Sequence, residues 1–110
     1  RFHENLKEHF WVQKSQTETV SSLGFGLMTD NREKTVEELI KNEIECRPLI
    51  CGSIQEHPFW TVSKPFFNRF ERKYLPVADT VHRNGLYVPC HQNMTDKEVD
   101  FICQILLDTK

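Results

Sequence analysis

Apolar residues recur along this chain with two different periods, and the switches between them mark its elements. The clearest run is the last: Val99, Ile102, Cys103 and Leu106 fall at i, i+3, i+4 and i+7, which predicts an amphipathic helix. Thr95-x-x-Glu98 just ahead of it is a capping box. Residues 1–10 place Phe2, Leu6, His9 and Phe10 on one helical stripe, the end of a helix; 11–19 is polar and reads as a connection. Over 20–28 the period drops to two, with Leu23, Phe25 and Leu27 against Ser22, Gly24 and Gly26, which predicts a strand with one buried face. The glycines on its other face imply that a neighbour comes close there.

Thr29, Asp30 and Asn31 then offer capping oxygens to a helix over 32–43, with Val36, Leu39 and Ile40 inward. Residues 44–46 resume an extended path that Arg47-Pro48 ends, since a residue before proline avoids the helical region. Pro76 suits the first turn of a helix to about Arg83, with Val77 and Val81 inward and Gly85 taking a left-handed stop. Residues 86–89 make a short strand. Strand, helix, strand at this spacing is a crossover unit, or its split form with another strand between. About three short strands cannot bury themselves, so the helices should cover one face of a small sheet in a two-layer α+β fold. The uncovered face, or the central loop, would meet another domain or subunit.

A chain of 110 residues supports one domain. A net charge of -2 without a run of one sign argues against a nucleic-acid partner. The aromatic and basic residues of 64–73 read more simply as core or interface than as a nucleic-acid patch. No apolar stretch approaches the roughly 20 residues of a membrane helix. A first residue of Arg1 rather than methionine is expected of a piece of a longer protein. Cys46 and Cys51 have four residues between them and Cys90 and Cys103 twelve, so neither pair makes a CxxC knuckle; reduced, buried thiols in a cytoplasmic protein are expected, and no metal.

Candidate chemistry gathers in residues 45–60. Arg47 before a proline, the small-residue turn Cys51-Gly52-Ser53 and then His57-Pro58 suit the gripping of an anionic or hydroxyl-rich ligand, although an ordinary surface loop has the same composition. His57 and His91 stand out because both follow a turn or strand end, whereas His82 is expected to face solvent or pack on its own helix. No glycine-rich phosphate loop, GxSxG elbow or HExxH pair is present, so no catalytic residue is assigned.

Three stretches in order, SSLGFGLM, IECRPLICGSIQEHPFW and LPVADTVHRNGLYVPCHQNMTDKEVDFI, resemble the C-terminal domain of the DegT/DnrJ/EryC1/StrS sugar aminotransferase and dehydrase family. The resemblance spans about residues 1–109. It implies a small antiparallel sheet backed by helices, with residues 1–10 ending an interdomain helix. This small domain closes over a large domain that binds pyridoxal 5'-phosphate (PLP) and is absent from these 110 residues. It implies a nucleotide-linked keto sugar as substrate, in polysaccharide, lipopolysaccharide or deoxysugar synthesis, and a homodimeric parent enzyme. The I-E-x-R-P-L-x-x-G form is similar to the nucleotide-sugar 3-dehydrases, with Ser53 standing where that pattern has asparagine and His57 where it has glutamine. Carried over by position, Arg47 would face the cleft, Gly52, Ser53 and His57 would line the sugar end, and His91 would stand behind them. Amino transfer is the leading expectation, with dehydration or a free-standing interaction module as alternatives. Without the Schiff-base lysine segment, the isolated chain is expected to be inactive and to bind the cofactor negligibly.

Overall fold

Four strands pair in the order β1-β2-β4-β3, every neighbour antiparallel: β1 (Trp11–Val12), β2 (Gly24–Met28), β3 (Arg47–Pro48) and β4 (Gly85–Pro89). The computed structural model describes residues 1–12, 22–50, 52–62 and 74–110. Because β2 and β3 are each antiparallel to β4, they run parallel to one another with β4 between them. The split form of the strand-helix-strand unit is the one adopted.

Register decides the two faces. Val12 pairs with Leu27, Leu27 with Leu86 and Phe25 with Val88, so these side chains share one face by alternation. Leu27, Leu86 and Val88 are fully buried there, and Phe2 of α1 (Phe2–Leu6) stacks on Phe25 at 5.0 Å. α1 and α2 (Arg32–Lys41) both pack on α5 (Asp96–Asp108), closing one core with Leu6, Leu39, Ile102, Cys103 and Leu106. The opposite face carries Trp11, Gly24, Gly26, Met28, Arg47 and Tyr87. The nearness expected at the glycines is there: a Cβ on Gly24 would lie 2.6 Å from Tyr87 Cδ2, and one on Gly26 3.0 Å from Leu49 Cδ1.

The predicted final helix forms with its capping box complete: Thr95 N–H donates to Glu98 Oε2 at 2.7 Å, and Glu98 N–H donates to Thr95 Oγ1 at 3.3 Å. Arg1 ties the first helix to the last through its guanidinium on Asp96 and Asp100.

Several expectations are corrected. Residues 11–12, read as connection, form a fourth strand, because Trp11 and Val12 meet the free edge of β2. The paired part of the third strand is Arg47–Pro48 rather than 44–46. Leu23 is exposed, since the ladder starts only at Gly24 and imposes no face before it. His9 is exposed too, as regular helix stops at Leu6 and the following turn rotates it off the stripe. In α2 the buried stripe is Thr35 and Leu39, while Ile40 is exposed. Thr35 tolerates burial because its hydroxyl donates to Asn31 O at 3.0 Å. Val77 of α4 (Pro76–Asn84) points outward. Gly85 is extended, with φ -80°, rather than left-handed. Space is what requires glycine there, because a Cβ would lie 2.5 Å from Val81 O. The 64–73 patch lies outside the described residues. No helix among the described residues is long and apolar enough to cross a membrane.

Candidate functional site

Arg47 sits on β3 opposite Tyr87, on the sheet face that the core helices leave open. Its side chain is exposed, and its Nε and Nη2 both donate to Glu45 Oε1, at 3.0 and 2.5 Å. Residues two apart in extended chain share a side, which is why Glu45 reaches it. That carboxylate raises the guanidinium pKa still further, so Arg47 is a permanent cation already orienting one anionic oxygen.

Past Pro48 the chain follows β4 for one further bond, Leu49 N–H to Gly85 O at 3.1 Å, and then turns onto α4. Gly52 makes the turn with φ +46°, a left-handed conformation that side chains oppose. It also leaves no room for one: a Cβ would lie 2.6 Å from His82 Cα and 2.8 Å from His82 Nδ1. Ser53 follows, fully buried, its hydroxyl without a hydrogen-bond partner among the described residues. A single 3-10 turn, Ile54–Glu56, is closed by Glu56 N–H on Ser53 O at 3.0 Å and His57 N–H on Ile54 O at 3.3 Å. His57 then opens α3 (Pro58–Val62), accepting at its carbonyl from Trp60 N–H at 3.0 Å. Its ring stands edge-on to His82 with centroids 5.5 Å apart, and 6.0 Å from Phe59.

Three of the five expected site residues, Gly52, Ser53 and His57, therefore meet at one place, the His82 face of α4. Arg47 stands apart on the open sheet face. His91 is exposed just past the far end of β4, roughly 20 Å of extended chain from Gly85. The Glu98 carboxyl is held below its usual range chiefly by the Thr95 hydrogen bonds, with a smaller electrostatic contribution from His91. His82, expected to face solvent or pack on its own helix, packs instead against Gly52 and His57 of the turn, and Asp79 carried no expectation. Asp79 lies one turn before His82 on the same helix, with Oδ1 buried and without a hydrogen bond among the described residues. The available signal was the i, i+3 pairing of a carboxylate and an imidazole within one short helix. The C-terminal end of α4, where His82 sits, is fixed from α2: Arg32 Nη1 donates to His82 O at 2.5 Å and to Gly85 O at 3.4 Å.

Among the described residues no three His, Cys, Asp or Glu side chains are arranged to hold a metal ion. The described lysines, Lys7, Lys34, Lys41, Lys97 and Lys110, are all exposed on the surface.

The model of the DegT/DnrJ/EryC1/StrS aminotransferase family matches residues 2–107. The chain belongs to that family. GDP-4-keto-6-deoxy-D-mannose 3-dehydratase of Escherichia coli O55:H7 (strain CB9615 / EPEC) is 29% identical over 112 residues, covering 96% of this chain and 28% of the relative. A solved structure of the E. coli 3-dehydratase with bound hydrated PLP superposes with a TM-score of 0.78 at 28% identity, over 96% of this chain and 28% of that one. The aminotransferase TlmJ of Streptoalloteichus hindustanus superposes with a TM-score of 0.73 over 98% of this chain and 28% of that one. Its 13% identity speaks to the fold alone. The chain thus spans a little over a quarter of the length of the family members it matches. PLP needs a lysine for its Schiff base and a cradle for its phosphate. The described lysines are all exposed, and no step of its chemistry is assigned to the described residues.

Proposed function

We propose that this family segment is the small C-terminal domain of a PLP-dependent enzyme acting on a nucleotide-linked keto sugar, with amino transfer as the leading activity. The observation that carries the reading is the match over residues 2–107, joined to an exposed cation and a docked, glycine-hinged turn beside the open sheet face. The parent enzyme would be a cytoplasmic homodimer serving polysaccharide, lipopolysaccharide or deoxysugar synthesis. The cofactor, which supplies an electron sink to such reactions, and its lysine belong to the large domain in this reading.

This segment's own part is recognition. Arg47 takes a phosphate or sugar oxygen through two donors now shared with Glu45, so ligand binding exchanges one anionic partner for another. His57 presents a hydrogen-bonding ring from a turn whose path Gly52 sets. Ser53 shapes that turn from within, since its hydroxyl is fully covered. His91 keeps a supporting place nearer α5.

Dehydration is the second reading, favoured by 28–29% identity to a 3-dehydratase against 13% to an aminotransferase. The test uses the enzyme that contains this segment, supplied with PLP, glutamate and a nucleotide-linked 4-keto sugar. An amino sugar supports transfer and a 3-deoxy sugar supports dehydration; no turnover overturns both. Arg47→Ala should raise KM by about tenfold or more, the loss of a charged hydrogen bond.

A further inference from the structure

Both ends of the Gly52–His57 turn meet His82 of α4. Gly52 lies against His82 Cα, Cβ and Nδ1 so closely that a methyl group would not fit. Five residues on, His57 returns to the same imidazole, edge against ring at 5.5 Å. Between these two contacts Ser53 is fully buried; its hydroxyl has no hydrogen-bond partner among the described residues, while its carbonyl accepts from Glu56 N–H. Within the turn, Glu56 N–H bonds Ser53 O and His57 N–H bonds Ile54 O. A left-handed residue in such a turn keeps its conformation where its surroundings impose it. His82 in turn cannot drift, because Arg32 from α2 binds its carbonyl.

We propose that α4 is the positioning element of this turn and that His82 is the positioning residue through which it acts. It holds Gly52 in its left-handed conformation and sets the direction of the His57 ring. The consequence for substrate recognition rests on the reading of the turn as sugar-facing.

Amide exchange in the 110-residue chain tests the positioning directly. In His82→Ala the amides of Glu56 and His57 should exchange about tenfold faster or more, while those of Val99 and Thr109 in and after α5 stay within about twofold. His82→Phe, which keeps a ring beside Gly52 and His57, should hold the turn's amides within about threefold of the parent. Unchanged exchange at Glu56 and His57 in His82→Ala overturns the proposal, and so does equal acceleration at Val99, which would assign His82 to global stability. In the enzyme that contains the segment, with GDP-4-keto-6-deoxy-D-mannose as probe, His82→Ala should raise KM about tenfold with kcat within about threefold, and His82→Phe should restore it. A loosened turn with an unmoved KM would keep the positioning role and overturn the sugar-facing reading instead.

Discussion

Tyr87 lays its ring across Gly24, a diagonal neighbour on the adjacent strand, so closely that a methyl group on Gly24 would lie 2.6 Å from Tyr87 Cδ2 and 3.1 Å from Val88 O. Overpacking of this kind forces a ring or a strand to move, and Gly24→Ala should cost about 1–3 kcal/mol of stability. Removing the ring removes most of the clash. Gly24→Ala combined with Tyr87→Ala should therefore lose clearly less than the sum of the two single changes in a urea-unfolding cycle. Additive losses would show that the two residues are not coupled.

Leu86 pairs with Leu27 on the buried face, and both are fully covered. Leu86→Ala opens a cavity beneath the central strand and should cost about 2–5 kcal/mol. Exposed Ile40→Ala should leave the denaturation midpoint within the change typical of surface positions, about 0.5 kcal/mol. The pair separates the residues that face the core from those that only share its periodicity.

The cap of α5 predicts an acid-side weakness. Glu98 is held below the ordinary carboxylate range chiefly by the Thr95 N–H and hydroxyl, and Asp100 chiefly by the Arg1 guanidinium. A carboxyl whose folded pKa is depressed adds stability that is fully present above its unfolded value and disappears as pH falls through the folded one. With unfolded values near 4, the loss should set in below about pH 4 and not above pH 5. Thr95→Ala should remove about 1 kcal/mol at neutral pH and weaken the acid dependence as well, read from unfolding midpoints between pH 3 and 7.

Cys103 is nearly inaccessible, and burial pushes its thiol pKa up. Alkylation by iodoacetamide at neutral pH should therefore miss Cys103 in the folded chain and modify it fully in denaturant, as mass spectrometry of digests would record. Rapid native labelling at this position would contradict the packing of α5.

The chain's helical periodicity was readable where one residue type dominated a stripe. Val99, Ile102, Cys103 and Leu106 are all buried as their spacing implies, because α5 presents one face to one core. It failed where a polar residue took a core position. Thr35 displaces Ile40 because a backbone carbonyl four residues back satisfies its hydroxyl, a bond invisible to a hydrophobicity pattern. β2 and β4 were legible as strands, and the family resemblance implied their antiparallel pairing, but β1 was not legible. Trp11 and Val12 carry no alternation long enough to announce a strand, and only the edge of β2 makes them one. At the candidate site, the turn residues Gly52, Ser53 and His57 were legible by type and order. Their common partner His82 was not, being about 25 residues away on a helix whose docking depends on the tertiary path.

The split arrangement sets an order of events for a growing chain. β2 and β3 are neighbours in sequence, yet each hydrogen-bonds to β4, which is made last of the four. Until Gly85–Pro89 has left the ribosome, two ribbon edges wait exposed and the hydrophobic face has no middle. A version ended at residue 84 should therefore show helical but little sheet signal in circular dichroism, and should stick to itself. The domain commits to its shape only once β4 is there to join the other strands.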